Sequence, residues 1–154
     1  MGKEIERKFL VKDPSFLKEL EGVYYHQGYL STEKERVVRV RIMGDKAALT
    51  LKGTDTGFTR LEYEYNIPVA EADEILEKLC LKPTIKKKRY RVPFQGFTWE
   101  VDVFSGENEG LILAEIELAS EEQEFPLPSW VGEEVTGDPR YYNAYLIAHP
   151  YAGH

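Results

Sequence analysis

Glu4, Glu6 and Lys8 alternate with Ile5, Arg7 and Phe9 close to the start of the chain. On a β-strand successive side chains point to opposite faces, so the two carboxylates and the ammonium project together from one side. Oxygen ligands for a hard cation, set beside a fixed positive charge, are the raw material of a metal-and-phosphate site. The same residues would also suit an ordinary solvated sheet face. Recurrence decides between the two readings. Arg39-Val40-Arg41, Leu49-Thr50-Leu51-Lys52, Arg60-Leu61-Glu62-Tyr63-Glu64, Lys87-Lys88-Arg89, Glu100-Val101-Asp102 and Glu115-Ile116-Glu117 repeat the alternation, and mostly sort their charges by sign. Like charges two residues apart on one face repel, so carboxylate pairs imply a bound cation and base pairs a bound anion.

The elements that must position these residues are strands. Eight strand-like segments run over about 3–11, 24–31, 36–43, 46–53, 58–67, 86–94, 97–104 and 112–119. Gly44-Asp45, the stretch from Gly53 to Gly57, and Gln95-Gly96 supply hairpin turns. Helices are expected near 14–20, over 69–80 with Ala72, Ile75, Leu76 and Leu79 in a stripe, and in the tail. There Asp138 caps, Pro139 is the first helical residue, and Tyr142, Tyr145 and Leu146 form the apolar stripe.

Charge on one face of eight antiparallel strands cannot be buried in a sandwich, because unpaired interior charge costs several kcal/mol per ion, roughly. The fold class expected is therefore mainly β: a closed eight-stranded antiparallel barrel with a wet interior and a few helices outside. The helices should cover the outer face, including Ile5, Val40, Leu61, Tyr63, Val101 and Ile116. The inward set balances Glu4, Glu6, Glu62, Glu64, Glu100, Asp102, Glu115 and Glu117 against Lys8, Arg39, Arg41, Lys52, Arg60, Lys87 and Arg89, a lumen near neutrality. One or two divalent cations would make it a receptor for a linear polyphosphate.

Composition limits the alternatives. The 154 residues suit one domain, 1–154, and the lone Cys80 can form no internal disulfide, which fits a reducing, cytoplasmic setting. The charged N-terminus is no signal peptide and no apolar run is long enough to span a membrane. A net charge of −7 argues against a nucleic-acid partner. No P-loop run exists, His26, His149 and His154 lack metal-ligand spacing, and Cys80 reads as core.

With these residues in place, Glu4-Ile5-Glu6-Arg7-Lys8 resembles the ExExK signature of the CYTH, or triphosphate tunnel metalloenzyme, superfamily. The later Arg-x-Arg, Lys52, Glu-x-Glu, Lys-x-Arg, Asp102 and Glu-x-Glu elements follow in that family's order over nearly the whole chain, and Gln27-Gly28-Tyr29-Leu30 is similar to the small bacterial inorganic triphosphatases. The resemblance implies an eight-stranded tunnel that hydrolyses a linear triphosphate with Mg²⁺ or Mn²⁺; cyclase and thiamine or nucleoside triphosphatase activities also occur in the family. It implies Glu4, Glu6, Glu115 and Glu117 as the main metal ligands, with Asp102, Glu62 and Glu64 as further candidates. Lys8, Arg39, Arg41, Lys52, Arg60, Lys87 and Arg89 would hold phosphate oxygens. Glu62 and Glu64 either bind a second metal or activate water. Tyr29, beside Lys87, either acts as a base or only lines the tunnel. The expected ligand is a small-molecule polyphosphate, and monomer and homodimer both remain open.

Overall fold

The computed structural model describes residues 3–54 and 59–152. Among these residues nine strands run in chain order as β1 (Lys3–Val11), β2 (Val23–Ser31), β3 (Val37–Met43), β4 (Lys46–Lys52), β5 (Thr59–Ile67), β6 (Ile85–Phe94), β7 (Phe97–Ser105), β8 (Ile112–Glu117) and β9 (Val131–Glu134). The first eight pair antiparallel in the order β5-β4-β3-β2-β6-β7-β8-β1, and β1–β5 pairing closes the barrel. β5 takes only the first third of the free β1 edge, through Lys3, Glu4 and Ile5, and β9 takes the last third, at Phe9 and Val11. The ninth strand adds to the eight expected. Its four residues include Gly132 and carry too little alternation to signal a strand.

Turn chemistry falls where the residues require it. Gln95 and Gly96 both have positive φ (49° and 86°), the two-residue hairpin geometry whose twist matches the flanking strands. Part of the expected β4–β5 turn, residues 55–58, lies outside the described residues, as does His154. The helix α1 (Val69–Lys78) presses Ala72 and Leu76 onto Val40 and Ala47, with Cys80 in the same cluster. Gly28 permits that approach: a Cβ there would lie 2.9 Å from both Cys80 Sγ and Leu76 Cδ2. The expected tail helix divides in two. Asp138 caps a 3₁₀ turn over Pro139–Tyr141, and α2 (Asn143–Ala148) begins afresh after an extended Tyr142.

Two expectations about the faces need correction. The helices do not cover the whole outer surface: beyond α1, Leu61, Tyr63 and Tyr65 on β5 stay 39%, 48% and 55% exposed. Nor is the interior charged throughout. Val37, Ile85, Phe104 and Leu113 share strand faces with the charged residues, and they pack with Tyr29, Tyr141, Leu146 and Ile147 in one buried cluster. The C-terminal segment thereby seals apolar inward positions at one end of β6–β8 that water would otherwise reach. A second cluster, around Phe9, Trp99, Val101 and Ile116, holds β1, β7 and β8 from outside, with Phe125 and Trp130 packed over it. Arg7, on that outer face, donates to both oxygens of Glu134 on β9 (2.6 and 2.7 Å).

Candidate active site

Inside the barrel lies a cavity of about 730 Å³. Period-two alternation delivers Glu4, Glu6 and Lys8 from β1, Arg39 and Arg41 from β3, and Lys52 from β4. Arg60, Glu62 and Glu64 reach it from β5, Lys87 and Arg89 from β6, and Glu115 and Glu117 from β8. Tyr29 lines it too, so every sequence-derived site residue except Asp102 borders this one space. Lys34, Arg91 and Glu100 join them, giving seven carboxylates (Glu4, 6, 62, 64, 100, 115, 117) against nine bases (Lys8, 34, 52, 87; Arg39, 41, 60, 89, 91). The lining is thus more positive than the near-neutral lumen expected.

On the wall formed by β6, β7, β8 and β1, an ionic network closes around Asp102 and Glu115. Asp102, 2% exposed, accepts from Arg89 Nε and a terminal nitrogen (2.7 and 2.8 Å), and its Oδ2 lies 2.7 Å from Lys87 Nζ. Glu115 pairs with Lys8 (3.5 Å) and Arg89 (3.4 Å). Burial alone would raise both carboxyls. Arg89 and Lys87 instead hold Asp102 far below the usual range, and Lys8 with Arg89 brings Glu115 to about 2. Lys87, 1% exposed, is pulled down to about 8 by burial despite its Asp102 partner. Asp102, expected among the metal ligands, sits behind the bases as their counter-ion.

The opposite wall, β3–β5, is left incomplete. Arg39 is 7% exposed, yet among the described residues its one hydrogen bond is a 3.4 Å contact to Thr50 Oγ1, and its Nε has no partner. Arg41 Nε is likewise unpartnered, and Glu64 approaches that guanidinium only to 3.7 Å. Burial, then repulsion from Arg39 and Arg89, lowers Arg41 to about 10. Arg41 and Arg89 both lie over the Tyr25 ring, 5.2 and 4.9 Å from its centroid, and that aromatic contact steadies the two guanidiniums in the lumen. Lys52 bridges Glu4 (3.1 Å) and Glu62 (3.5 Å), and Arg60 donates to the Gly53 carbonyl.

One carboxylate mirrors Arg39. Glu6 makes no hydrogen bond or ion pair among the described residues, and burial, then the charges of Glu115 and Glu4, raise its pKa well above the ordinary value. Glu117, opposite Glu6 in register, is raised by burial and by Glu4 and Glu62. No three carboxylates converge as a ready cation cage among the described residues. The donor chemistry nevertheless fits a hard divalent cation, since surplus negative charge gathers at Glu4, Glu6 and Glu117 in oxygen ligands.

Gln27, Asn143 and Tyr25, to which the sequence reading gave no role at the site, tie its side chains together. Tyr29 and Lys87 do not bond to each other directly. Gln27 Nε2 donates to Tyr29 Oη (3.4 Å) and to Asn143 Oδ1 (3.2 Å), and Lys87 Nζ donates to the same Asn143 oxygen (3.2 Å). Tyr25 and Gln27 share the inward parity of Tyr29 on β2 and are legible from it; Asn143 arrives from a tail that sequence cannot aim.

A closed antiparallel barrel whose lumen gathers fixed bases and carboxylates defines a class of anion-binding tunnels, and the comparisons agree. The chain belongs to the CYTH domain family, whose model matches residues 2–142. It is 59% identical over 151 residues to an inorganic triphosphatase of Acetivibrio thermocellus, covering 98% of this chain and 97% of that one. It is 42% identical to an inorganic triphosphatase of Nitrosomonas europaea, covering 93% and 95%. Among solved structures, a crystal structure of an inorganic triphosphatase superposes with TM-score 0.66 at 36% identity, over 96% of this chain and 99% of that one. An adenylyl cyclase-like protein from Hippeastrum shares the fold alone (TM-score 0.60, 16% identity, 77% and 81% covered).

Proposed function

We propose that this protein hydrolyses inorganic tripolyphosphate to pyrophosphate and phosphate with the aid of Mg²⁺ or Mn²⁺. The observation that carries the reading is a pair of groups facing one lumen with no counter-charge paired to them among the described residues: Arg39, buried with its Nε unpartnered, and Glu6, half-buried, its pKa raised by burial and by neighbouring carboxylates. An isolated buried charge costs several kcal/mol, roughly, unless a ligand meets it. Arg39 requires an anion and Glu6 a cation, and a metal–polyphosphate complex brings both. The near full-length likeness to two inorganic triphosphatases supports the same substrate.

Arg39 and Arg41 would take phosphate oxygens through paired planar donors from one wall, while Lys8, Lys52 and Lys87 act as point charges around them. These groups hold the chain for in-line attack of water on a terminal phosphoryl, and their fixed charge stabilises what develops on the leaving pyrophosphate. Glu62 and Glu64, across the lumen on β5, accept the proton of the attacking water or steady a second cation. Glu4, Glu6 and Glu117, with Glu115 beside them, would hold Mg²⁺ or Mn²⁺, which when bound would supply charge neutralisation at the phosphate oxygens. Asp102 is left out of that set because both its oxygens are committed to Arg89 and Lys87. The setting proposed is cytoplasmic, with no nucleic-acid or membrane partner; among the described residues no helix is long and apolar enough to cross a membrane.

The test is a panel of tripolyphosphate, pyrophosphate, ATP and thiamine triphosphate with each metal and with EDTA. Tripolyphosphate should give the highest kcat/KM, EDTA should abolish turnover, and no cyclic nucleotide should form from ATP. Equal or better efficiency on ATP would overturn the substrate assignment.

A further inference from the structure

The C-terminal segment reaches into the lumen at two lysines. The Tyr141 carbonyl accepts from Lys8 Nζ (3.3 Å), and Asn143 Oδ1 accepts from Lys87 Nζ (3.2 Å). Lys87 can only donate, so the Asn143 atom facing it must be the carbonyl oxygen, and Gln27 Nε2 donates to that same oxygen. The orientation has a consequence on the other side of the amide. Asn143 borders the cavity, and its Nδ2 has no protein partner among the described residues. Leu146 and Ile147, both buried in the apolar cluster, fix the segment that carries it.

Lys87 needs this second anchor. Asp102 draws its ammonium toward the wall at 2.7 Å, and with Asp102 alone the charge would be folded back against Arg89's own counter-ion. Asn143 pulls from the direction of the cavity. A neutral oxygen does so without cancelling the charge, and its partner NH₂ adds a donor that an anion can use and a cation cannot.

We infer that Asn143 is a positioning residue of the phosphate site: it holds the Lys87 ammonium toward the lumen and offers its own Nδ2 to a phosphate oxygen, so that docking of the C-terminal segment completes the site. The inference rests on the reading of Lys87 as a phosphate contact.

Steady-state kinetics on tripolyphosphate with Mg²⁺ test it through four proteins: Asn143→Ala, Asn143→Asp, Lys87→Ala and the double Ala variant. Asn143→Ala should lower kcat/KM about tenfold or more, the scale of one hydrogen bond to a charged group. Asn143→Asp keeps an oxygen for Lys87 but replaces the donor with a second acceptor that carries negative charge, so kcat should recover part of the Ala loss while KM rises above that of Asn143→Ala. The double variant should fall somewhat below Lys87→Ala, by the lost Nδ2 contact, but by clearly less than the product of the two single losses, because the rest of Asn143's effect passes through that lysine. Multiplying losses in the double variant, or an Asp variant indistinguishable from Ala in both kcat and KM, would overturn the inference. Wild-type kinetics in Lys87→Ala would instead remove the phosphate-contact reading on which it rests. If Asn143→Ala fails to fold, the kcat–KM split of Asn143→Asp carries the decision.

Discussion

The two walls of the lumen use the same residue types to opposite ends. Around Asp102 and Glu115, on β6–β8 and at Lys8 of β1, the charges have found partners: the two carboxylates share out Lys8, Lys87 and Arg89 at 2.7 to 3.5 Å, deep in the barrel, with Glu6 and Glu117 outside that network. On β3, two guanidiniums as deeply placed have Nε atoms with no partner, and the nearest carboxylate lies 3.7 Å away and is far more exposed. A satisfied network resists change because removing one member strands the others. An unsatisfied group gives up little when removed, since its partner is not part of the protein. One wall therefore holds the tunnel open and the other waits for ligand.

The largest effect expected is on the satisfied wall. Asp102→Ala strands Lys87 and Arg89 together and should destabilise the metal-free protein by about 3–5 kcal/mol in chemical denaturation. If the loss is no larger than for Arg39→Ala, the contrast between the walls is wrong. Next comes Arg39→Ala itself, which should reduce kcat/KM on tripolyphosphate by about 10- to 100-fold, the range for a hydrogen bond to a charged group, while the denaturation midpoint stays level or rises.

Glu6→Gln sharpens the comparison from the carboxylate side. Because the folded-state pKa of Glu6 lies above its unfolded value, the native state holds the proton more tightly and loses stability as pH rises from about 4.5 through the raised pKa. The Gln variant lacks this loss, so without metal it should be more stable than wild type at pH 7, by about 1.4 kcal/mol for every tenfold by which folding tightens the proton's hold. The two should converge near pH 4, and a variant less stable at pH 7 would contradict the repulsion. Metal-supported turnover should vanish in the same variant. The smallest effect is a displaced limb. With Lys87 near 8 in the free protein, kcat/KM should decline above about pH 8 as the ammonium loses its proton, and Lys87→Arg should move that decline upward. An unmoved limb would assign it to another group.

Much of this was legible in the chain. Side-chain alternation has a period of two whatever the partner strand, so Glu4, Glu6, Arg39, Arg41, Glu62, Glu64, Lys87, Arg89, Glu115 and Glu117 could be assigned to one face from spacing alone. Which charges meet across that face could not, because cross-strand neighbours depend on register. Lys52 reaches Glu4 only through the β1–β5 closure, and Asp102 turns from ligand to counter-ion only because β6 sets Arg89 opposite it. Periodicity is equally silent on the tail. It marks Tyr145 and Leu146 as one stripe, but the break at Tyr142 divides the helix, and that break is what aims Asn143 at Lys87.

The ionic network around Asp102 also gives the barrel an uneven response to temperature. Dehydrating charges becomes cheaper on heating, because their hydration carries a strongly negative entropy. The apolar shell outside, from Trp99 and Val101 to Ile116, loses grip on cooling as the hydrophobic driving force fades. Chilling therefore strikes both layers at once: the shell weakens while the cost of keeping Lys87, Arg89, Asp102 and Glu115 out of water grows. Heat, over its moderate range, relieves the lumen while it strains the chain. The tunnel is the part of this molecule most at ease when warm.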